Sequence, residues 1–551
     1  MSSSEVTAPV APGATVLAER SSRRKTAWLL FGLLVAVYLL TGKGFSEILD
    51  AEGYFVITKA MVEEHTVAIE PDLTRAIVRG VEPVRNGKTY LPYGIGYPLL
   101  LSPFYLAGKV VGEVVVSFAP SLARFDRFFP RAGTSTALAL ITALTAVAVF
   151  YLLIEFGWSL RVAVAGGLLF GLATYAWPYA KIGFYEPFLA LCQALALLWV
   201  VVYARTGNWR WLLGAWFVVG WGVATKPSLL LLAPVLVTYV VWAAWRGFET
   251  LKKGAEGTDA GGLRRVVTAL VASGVALAPW VVLMFWYNQI RTGAVTNPGY
   301  LSGNYTPFLA GWHFVQAMVG NLFSPGRSFF VYSPITILFL AGIPWYWRNR
   351  RPEFLAMVAL LVLNFGFFAL RENWATIRPW GPRYLEPLVP LFVLMAMPGI
   401  AAVWPRVAWR RAVYGLVALS VVVQLLAIAV PYGNWLDRVR ETEGSAFEAV
   451  FRLKYWPIWG QVVLLSEATL QPIEVHASEI SEGQPSEAFK TALRASPDFW
   501  WAYLYRLGVP AAPVVLLAVA LLACAIALAR RLWYELRTVG EVSNEECGVL
   551  G

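Results

Sequence analysis

Long apolar runs broken by short polar segments dominate this chain. A first run covers 26–40, and eleven more fall near 134–154, 160–180, 186–204, 211–225, 228–245, 264–288, 329–346, 353–370, 384–404, 411–430 and 509–530. Apart from the short run at 211, each of the eleven approaches the roughly 20 residues that a helix needs to cross a bilayer. The pattern predicts an all-α polytopic membrane protein with 12 spans, 13 being the nearest alternative. The thirteenth candidate, 91–108, is apolar enough to cross but is interrupted by Pro92, Pro98 and Pro103 and by Gly94 and Gly96. Each proline removes a backbone donor that lipid cannot replace, so a bent helix on the outer surface is expected here. Tyr90, Tyr93, Tyr97, Phe104 and Tyr105 suit such an interface.

Charge between the runs orients them. Segments 246–265, 348–351, 406–411 and 530–537 are strongly basic, and all four fall in the cytoplasm together. Counting back from them, Arg161, Arg205 and Arg210 are also inside, and the segment before 134 is outside only if 91–108 does not cross. Arg124, Arg127 and Arg131 are then left outside, against the rule. The expected organisation is a disordered cytoplasmic tail at 1–25 and a transmembrane module at 26–430 with a first outer loop at 42–133. An extracytoplasmic loop or cap follows at 431–508, then a last span and cytoplasmic tail at 509–551. Both termini are cytoplasmic, and most polar features share the extracytoplasmic face of a multi-pass protein of the cell membrane.

Composition agrees with this and removes other classes. Of 551 residues, 58% are hydrophobic and 25 are Trp, with mean hydropathy +0.59, well above the roughly 45 to 50% apolar content of soluble domains. The net charge of +11 sits in short loops, as topology signals do, and not in a nucleic-acid-binding patch. Cys192 and Cys524 lie inside apolar runs and Cys547 in the tail, so no disulfide framework is expected. His65, His313 and His476 make no close-spaced metal pair. There is no internal repeat and no pair of inverted halves, which weakens a transporter reading.

Candidate chemistry collects on the outer face. Asp50 and Glu52 stand within a few residues of apolar chain, where a carboxylate costs several kcal/mol to desolvate unless it has a partner or a task. On a helix the two point to different faces, and only one can enter a shared cavity. Lys181 and Glu186 share the turn between two spans, where a simple surface pair is the plain alternative to a functional one. Lys226, before Pro227, has the same ambiguity, since a lysine at a span end can snorkel. Arg383, with Tyr384, follows Gly381 and Pro382 at an outer span end and suits bidentate phosphate binding, and Arg327 in SPGRSFF has the same setting. Binding to lipid headgroups is the other use of such arginines.

The stretches ILDAEGYFVITKAMVEE, YLPYGIGYPLLLSPFYLAG, ATYAWPYAKIGFYEPFLAL, LFSPGRSFFVYSPI, LKYWPIWGQVVLL and WGPRYLEPLVPLF resemble the GT-C superfamily of membrane glycosyltransferases. Among its branches, the protein O-mannosyltransferases and aminoarabinose transferases are the most similar. The resemblance implies a GT-C-like bundle of about 12 to 13 helices with a juxtamembrane first outer loop and a small C-terminal outer domain. It also implies inverting transfer of a monosaccharide from a polyprenyl-phosphate donor to a glycan, lipid or protein acceptor. By this resemblance an acid at Asp50 or Glu52 is the general base, with Asp50 favoured. Lys181, Arg327, Arg383 and Tyr384 are then donor or phosphate contacts, and Glu186 and Tyr93 shape the site. The partners expected are the lipid-linked donor, the acceptor and membrane lipids, with no nucleic acid. No cofactor is demanded; a divalent cation, Mg or Mn, could assist, although no close cluster of acids requires one. A flippase for a lipid-linked saccharide, or a non-catalytic scaffold of envelope assembly, would share the outer cavity but not the need for a proton-accepting acid.

Overall fold

The computed structural model describes residues 12–46, 48–70, 84–252, 260–298, 308–375, 379–443, 448–473 and 487–548; residues 1–11 of the expected tail, Lys253 of the basic loop and His476 lie outside them. The first half comprises α1 (Pro12–Leu40), α2 (Leu49–Glu63), α3 (Gly96–Phe118), α4 (Phe128–Glu155), α5 (Leu160–Leu172), α6 (Ala176–Ile182), α7 (Glu186–Thr206), α8 (Arg210–Thr225), α9 (Leu232–Lys252) and α10 (Ala260–Thr292). Then come α11 (Trp312–Phe323), α12 (Phe329–Tyr332), α13 (Phe339–Asn349), α14 (Arg351–Ala369), α15 (Val389–Val403) and α16 (Val407–Ala429). The final stretch holds α17 (Gly433–Glu443), α18 (Glu448–Phe451), α19 (Pro457–Glu467), α20 (Glu487–Arg494), α21 (Trp500–Arg506) and α22 (Ala511–Gly548). A hairpin of β1 (Val84–Arg85) and β2 (Lys88–Thr89), turning through Asn86 and Gly87, is the one paired ladder among the described residues.

Among the described residues nine helices are long and apolar enough to cross a membrane, or ten if α5 and α6 are one span bent by 53°. The bend has a local cause: the Tyr175 N–H leaves the helical ladder and donates to Ser333 Oγ at 3.1 Å. Three expected runs do not form a single long apolar helix. The run at 211 is the 16-residue α8. The run at 329 breaks into α12, a 3-10 turn at Pro334–Leu338 and α13, because Pro334 has no N–H to continue the ladder. The first run is the apolar half of α1, which extends back through Arg23, Arg24 and Lys25 to Pro12. Residues 12–25, expected to be disordered, are therefore helical.

Helix α3 differs from the interrupted, bent helix expected for 91–108 and is itself one of the nine helices long and apolar enough to cross. It is continuous, because Pro92 and Gly94 precede it and Pro98 falls in its first turn, where no intrahelical donor is needed; only Pro103 is interior. Its contacts nonetheless join the same end of several spans. Trp221 Nε1, near the end of α8, donates to Gly96 O at 2.7 Å, and Tyr97 Oη donates to the Phe184 carbonyl between α6 and α7 at 3.1 Å. Gly108 lies so close to the start of α4 that a Cβ would meet Phe129 O at 2.4 Å. These contacts gather the start of α3, the end of α8, the α6–α7 turn and the start of α4 at one end of the bundle. Leu106, Val110, Val111, Val114 and Phe118 form its exposed apolar side.

The opposite end of the bundle is where the basic loops meet. Lys25 pairs with Glu535 at 2.5 Å, Arg205 with Glu155 at 2.8 Å, and Arg161 Nε donates to Leu536 O at 3.1 Å. Arg350 reaches the Glu155 carbonyl at 3.4 Å. At the α3 end a latch joins the two extremes of the sequence. Trp500 N–H donates to Gly42 O at 2.9 Å, and the indoles of Trp500 and Trp501 donate to Leu39 O and Leu40 O. Beside them Asp498 is enclosed by Lys43 at 3.1 Å and Lys181 at 3.0 Å, all three side chains under 10% exposed.

Candidate active site

Asp50 stands in the first turn of α2, where a carboxylate also faces the positive end of the helix dipole. Its Oδ1 accepts from Tyr93 Oη at 3.1 Å and its Oδ2 from Arg383 Nη1 at 2.8 Å. The Tyr93 contact depends on Gly53: a Cβ there would overlap the Tyr93 ring at 2.2 Å, so only glycine lets the phenol lie against α2. Partial burial works to raise the Asp50 pKa, but the Arg383 guanidinium, the charge of Lys226 and the Tyr93 hydroxyl outweigh it. The carboxyl therefore titrates below its ordinary value.

Arg383 begins the 3-10 turn Arg383–Leu388 that leads into α15. Its Nε donates to Glu186 Oε1 at 2.6 Å, and its guanidinium carbon lies 3.7 Å from the centre of the Phe184 ring. Gln193 fixes the turn from α7 by donating to Pro387 O at 2.7 Å, and Tyr384 stacks on Phe368 at 4.8 Å. Lys226, from the α8 end, holds its ammonium 5.6 Å over the Tyr185 ring. Beside this constellation opens a shallow cleft whose lining includes Tyr185, Glu186, Ser228, Asn364 and Tyr384.

Of the expected site residues, Asp50, Tyr93, Glu186, Arg383 and Tyr384 come together here. Glu52 does not: as its position on α2 predicts, it faces away, in an ion pair with Arg131, whose Nη2 is 2.7 Å from Glu52 Oε1. Arg131 lies over the Phe55 ring at 4.2 Å, and this pair borders a second cavity of about 390 Å³ between α2, α3 and α4. Lys181 also stands apart. It does not pair with Glu186; Asp498 holds its ammonium, which also donates to Ile428 O at 2.9 Å, so its charge ties α6 to the segment before α21 instead of entering the cleft. Arg327 is 2% exposed and donates to Ala375 O at 2.5 Å and Pro379 O at 2.8 Å, bracing the loop that leads to Arg383. Lys181 is thus held by a carboxylate and a carbonyl, and Arg327 by carbonyls, and none of these contacts involves Asp50 or Glu186.

Sequence reasoning undervalued Lys226 and Arg131. The signal for Arg131 was present, since it was one of three arginines on the side where the charge rule forbids them. For a divalent cation the fit is poor: Asp50 and Glu186 are both engaged by Arg383, Glu52 by Arg131, and no three His, Cys, Asp or Glu residues gather into a cation site among the described residues.

Residues 133–258 match the family model described as dolichyl-phosphate-mannose-protein mannosyltransferase. No curated protein matches the chain. Among solved structures the chain is similar to ArnT from Cupriavidus metallidurans bound to undecaprenyl phosphate, at 18% identity over 93% of this chain and 77% of that one, TM-score 0.47. The apo state of the same protein gives 17%, 93%, 78% and 0.46. The Archaeoglobus fulgidus oligosaccharyltransferase in the apo form is more distant, at 13% identity over 89% of this chain and 64% of that one, TM-score 0.39.

Proposed function

We propose that this chain, whose residues 133–258 match the mannosyltransferase family model, is a membrane glycosyltransferase of the GT-C type that moves one sugar from a polyprenyl-phosphate donor to an acceptor hydroxyl on the extracytoplasmic face, with inversion. The observation that carries this reading is the 2.8 Å contact between Asp50 and Arg383 beside the cleft: a proton acceptor and a phosphate-binding cation in one constellation. The family description names a lipid-phosphate donor, which is the chemistry that Arg383 and Lys226 suit.

In the reaction Asp50 takes the proton from the acceptor hydroxyl while its oxygen bonds to the anomeric carbon. The bond from that carbon to the phosphate oxygen breaks, and the electron pair leaves on the carrier phosphate. The phosphate thereby passes from a singly charged diester toward a doubly charged monoester. Arg383 and Lys226 gain most as that charge develops, and such preorganised charge stabilisation is worth several kcal/mol in a site sheltered from water. Tyr93 and Glu186 hold the base and the guanidinium in register, Tyr384 lines the donor cleft, and no step is routed through a metal.

The test is single-turnover transfer from defined radiolabelled polyprenyl-phosphate sugars by the purified protein. Asp50→Asn keeps size and hydrogen bonding but cannot take a proton, so transfer should fall by about two to four powers of ten with donor binding retained. Glu52→Gln should be milder, because Glu52 faces Arg131 in the other cavity. Transfer at the wild-type rate by Asp50→Asn sinks the assignment of the base, and no transfer from any such donor sinks the enzyme.

A further inference from the structure

We propose that Arg383 is a shared group, held by Asp50 before the donor arrives and handed to the donor phosphate during transfer, with Glu186 as the positioning residue that keeps the guanidinium in place throughout. This rests on the transfer reading above. The two grips on Arg383 differ in kind. Glu186 takes Nε at 2.6 Å with a side chain only 2% exposed, while the guanidinium face lies on Phe184. Asp50 takes Nη1 at 2.8 Å but is 37% exposed, so a ligand reaching its exposed side can replace it without opening the core. One grip is an anchor and the other is exchangeable.

The chemistry drives the exchange. As the acceptor proton moves to an Asp50 oxygen, the carboxylate becomes neutral and its hold on Arg383 weakens. In the same step the C–O bond to the carrier breaks and the departing phosphate gains a negative charge, so its hold strengthens. Both changes move Arg383 in one direction, and an interaction that grows toward the transition state is the kind that accelerates a reaction. Before the donor binds, the same contact keeps Asp50 a weak base. The charged and titratable groups facing Asp50 are Arg383 from the 3-10 turn, Lys226 from the α8 end, Tyr93 from the approach to α3, and Glu186 across the guanidinium.

The experiment is equilibrium binding of undecaprenyl phosphate to the full chain in nanodiscs. Asp50→Asn removes the competitor and should tighten binding about tenfold; Glu186→Gln releases the anchor and should weaken it by a similar factor. A simple field effect predicts otherwise, since each substitution deletes one negative charge near the phosphate and both would tighten binding alike. That result overturns the handover, as does weaker or unchanged binding by Asp50→Asn. If Glu186→Gln cannot be purified, Asp50→Asn is repeated in an Arg383→Gln background. With no guanidinium to release, the tenfold gain should vanish, and its persistence refutes the proposal. Turnover is not read in this assay. Opposite shifts without sugar transfer would sink the enzyme reading alone, and transfer without opposite shifts would sink the handover alone.

Discussion

A single guanidinium does two things at once in this site: it bridges two carboxylates and stacks on a phenyl ring. A lysine supplies the charge but cannot span that geometry. Arg383→Lys should therefore lose nearly as much kcat/KM as Arg383→Ala, on the order of 100-fold, in kinetics against the lipid donor. Equal activity of the lysine variant and wild type would reduce Arg383 to a charge of no special shape. Asp498 gives a stability test. Burial opposes its ionisation, but Lys181 and Lys43 overcome that and hold its pKa far below the carboxylate norm of about 3.9. A depressed pKa contributes stability that is complete above the unfolded value and is lost as pH falls through the folded value, so this cluster should persist well below pH 4. Asp498→Asn leaves two buried ammonium groups without their anion and should cost about 3 to 5 kcal/mol in denaturant unfolding. The opposed directions of Asp50 and Glu52 were legible from helical geometry alone. The partner of Lys181 was not, since it lies 317 residues away and nothing local distinguishes a lysine that will meet Asp498 from one that will meet a phosphate.

At the scale of elements, apolar run length located the long helices but could not see where hydrogen bonds from elsewhere break them. The Tyr175 bend needs Ser333, and a proline count overstated the damage to α3 because two of its interruptions precede the helix. The packing of α3 on α4 was hidden for a similar reason, since it rests on two glycines: Gly108 against Phe129 O, and Gly133, where a Cβ would meet Phe104 O at 2.3 Å. Gly108→Val must push these backbones apart and should cost about 1 to 3 kcal/mol of stability, read as a lowered Tm. Since α3 also contacts α2 through Tyr105 and Lys109 on Glu63, the same variant should slow transfer by displacing α2 and its base. An unchanged Tm would show that the α3 and α4 ends are not packed as described.

For the molecule as a whole, two of the four basic loops read from the sequence, 348–351 and 530–537, meet Arg161, Lys25 and the Glu155 that Arg205 also holds, and so gather one end of the bundle in space. The candidate site lies at the other end, with exposed Ser121 and the arginines around it. In a background lacking the native cysteines, Ser121→Cys should react with a membrane-impermeant thiol reagent from the extracytoplasmic side of intact cells. Labelling only from the cytoplasmic side would mean that α3 crosses the bilayer and that the 13-span alternative holds.

The latch between Leu39 and Trp500 closes over 461 residues of chain. Helix α2, which carries Asp50, begins ten residues beyond Leu39, so the placing of that carboxylate depends on a segment from the far part of the chain, and a change at Trp500 would reach it without touching the site.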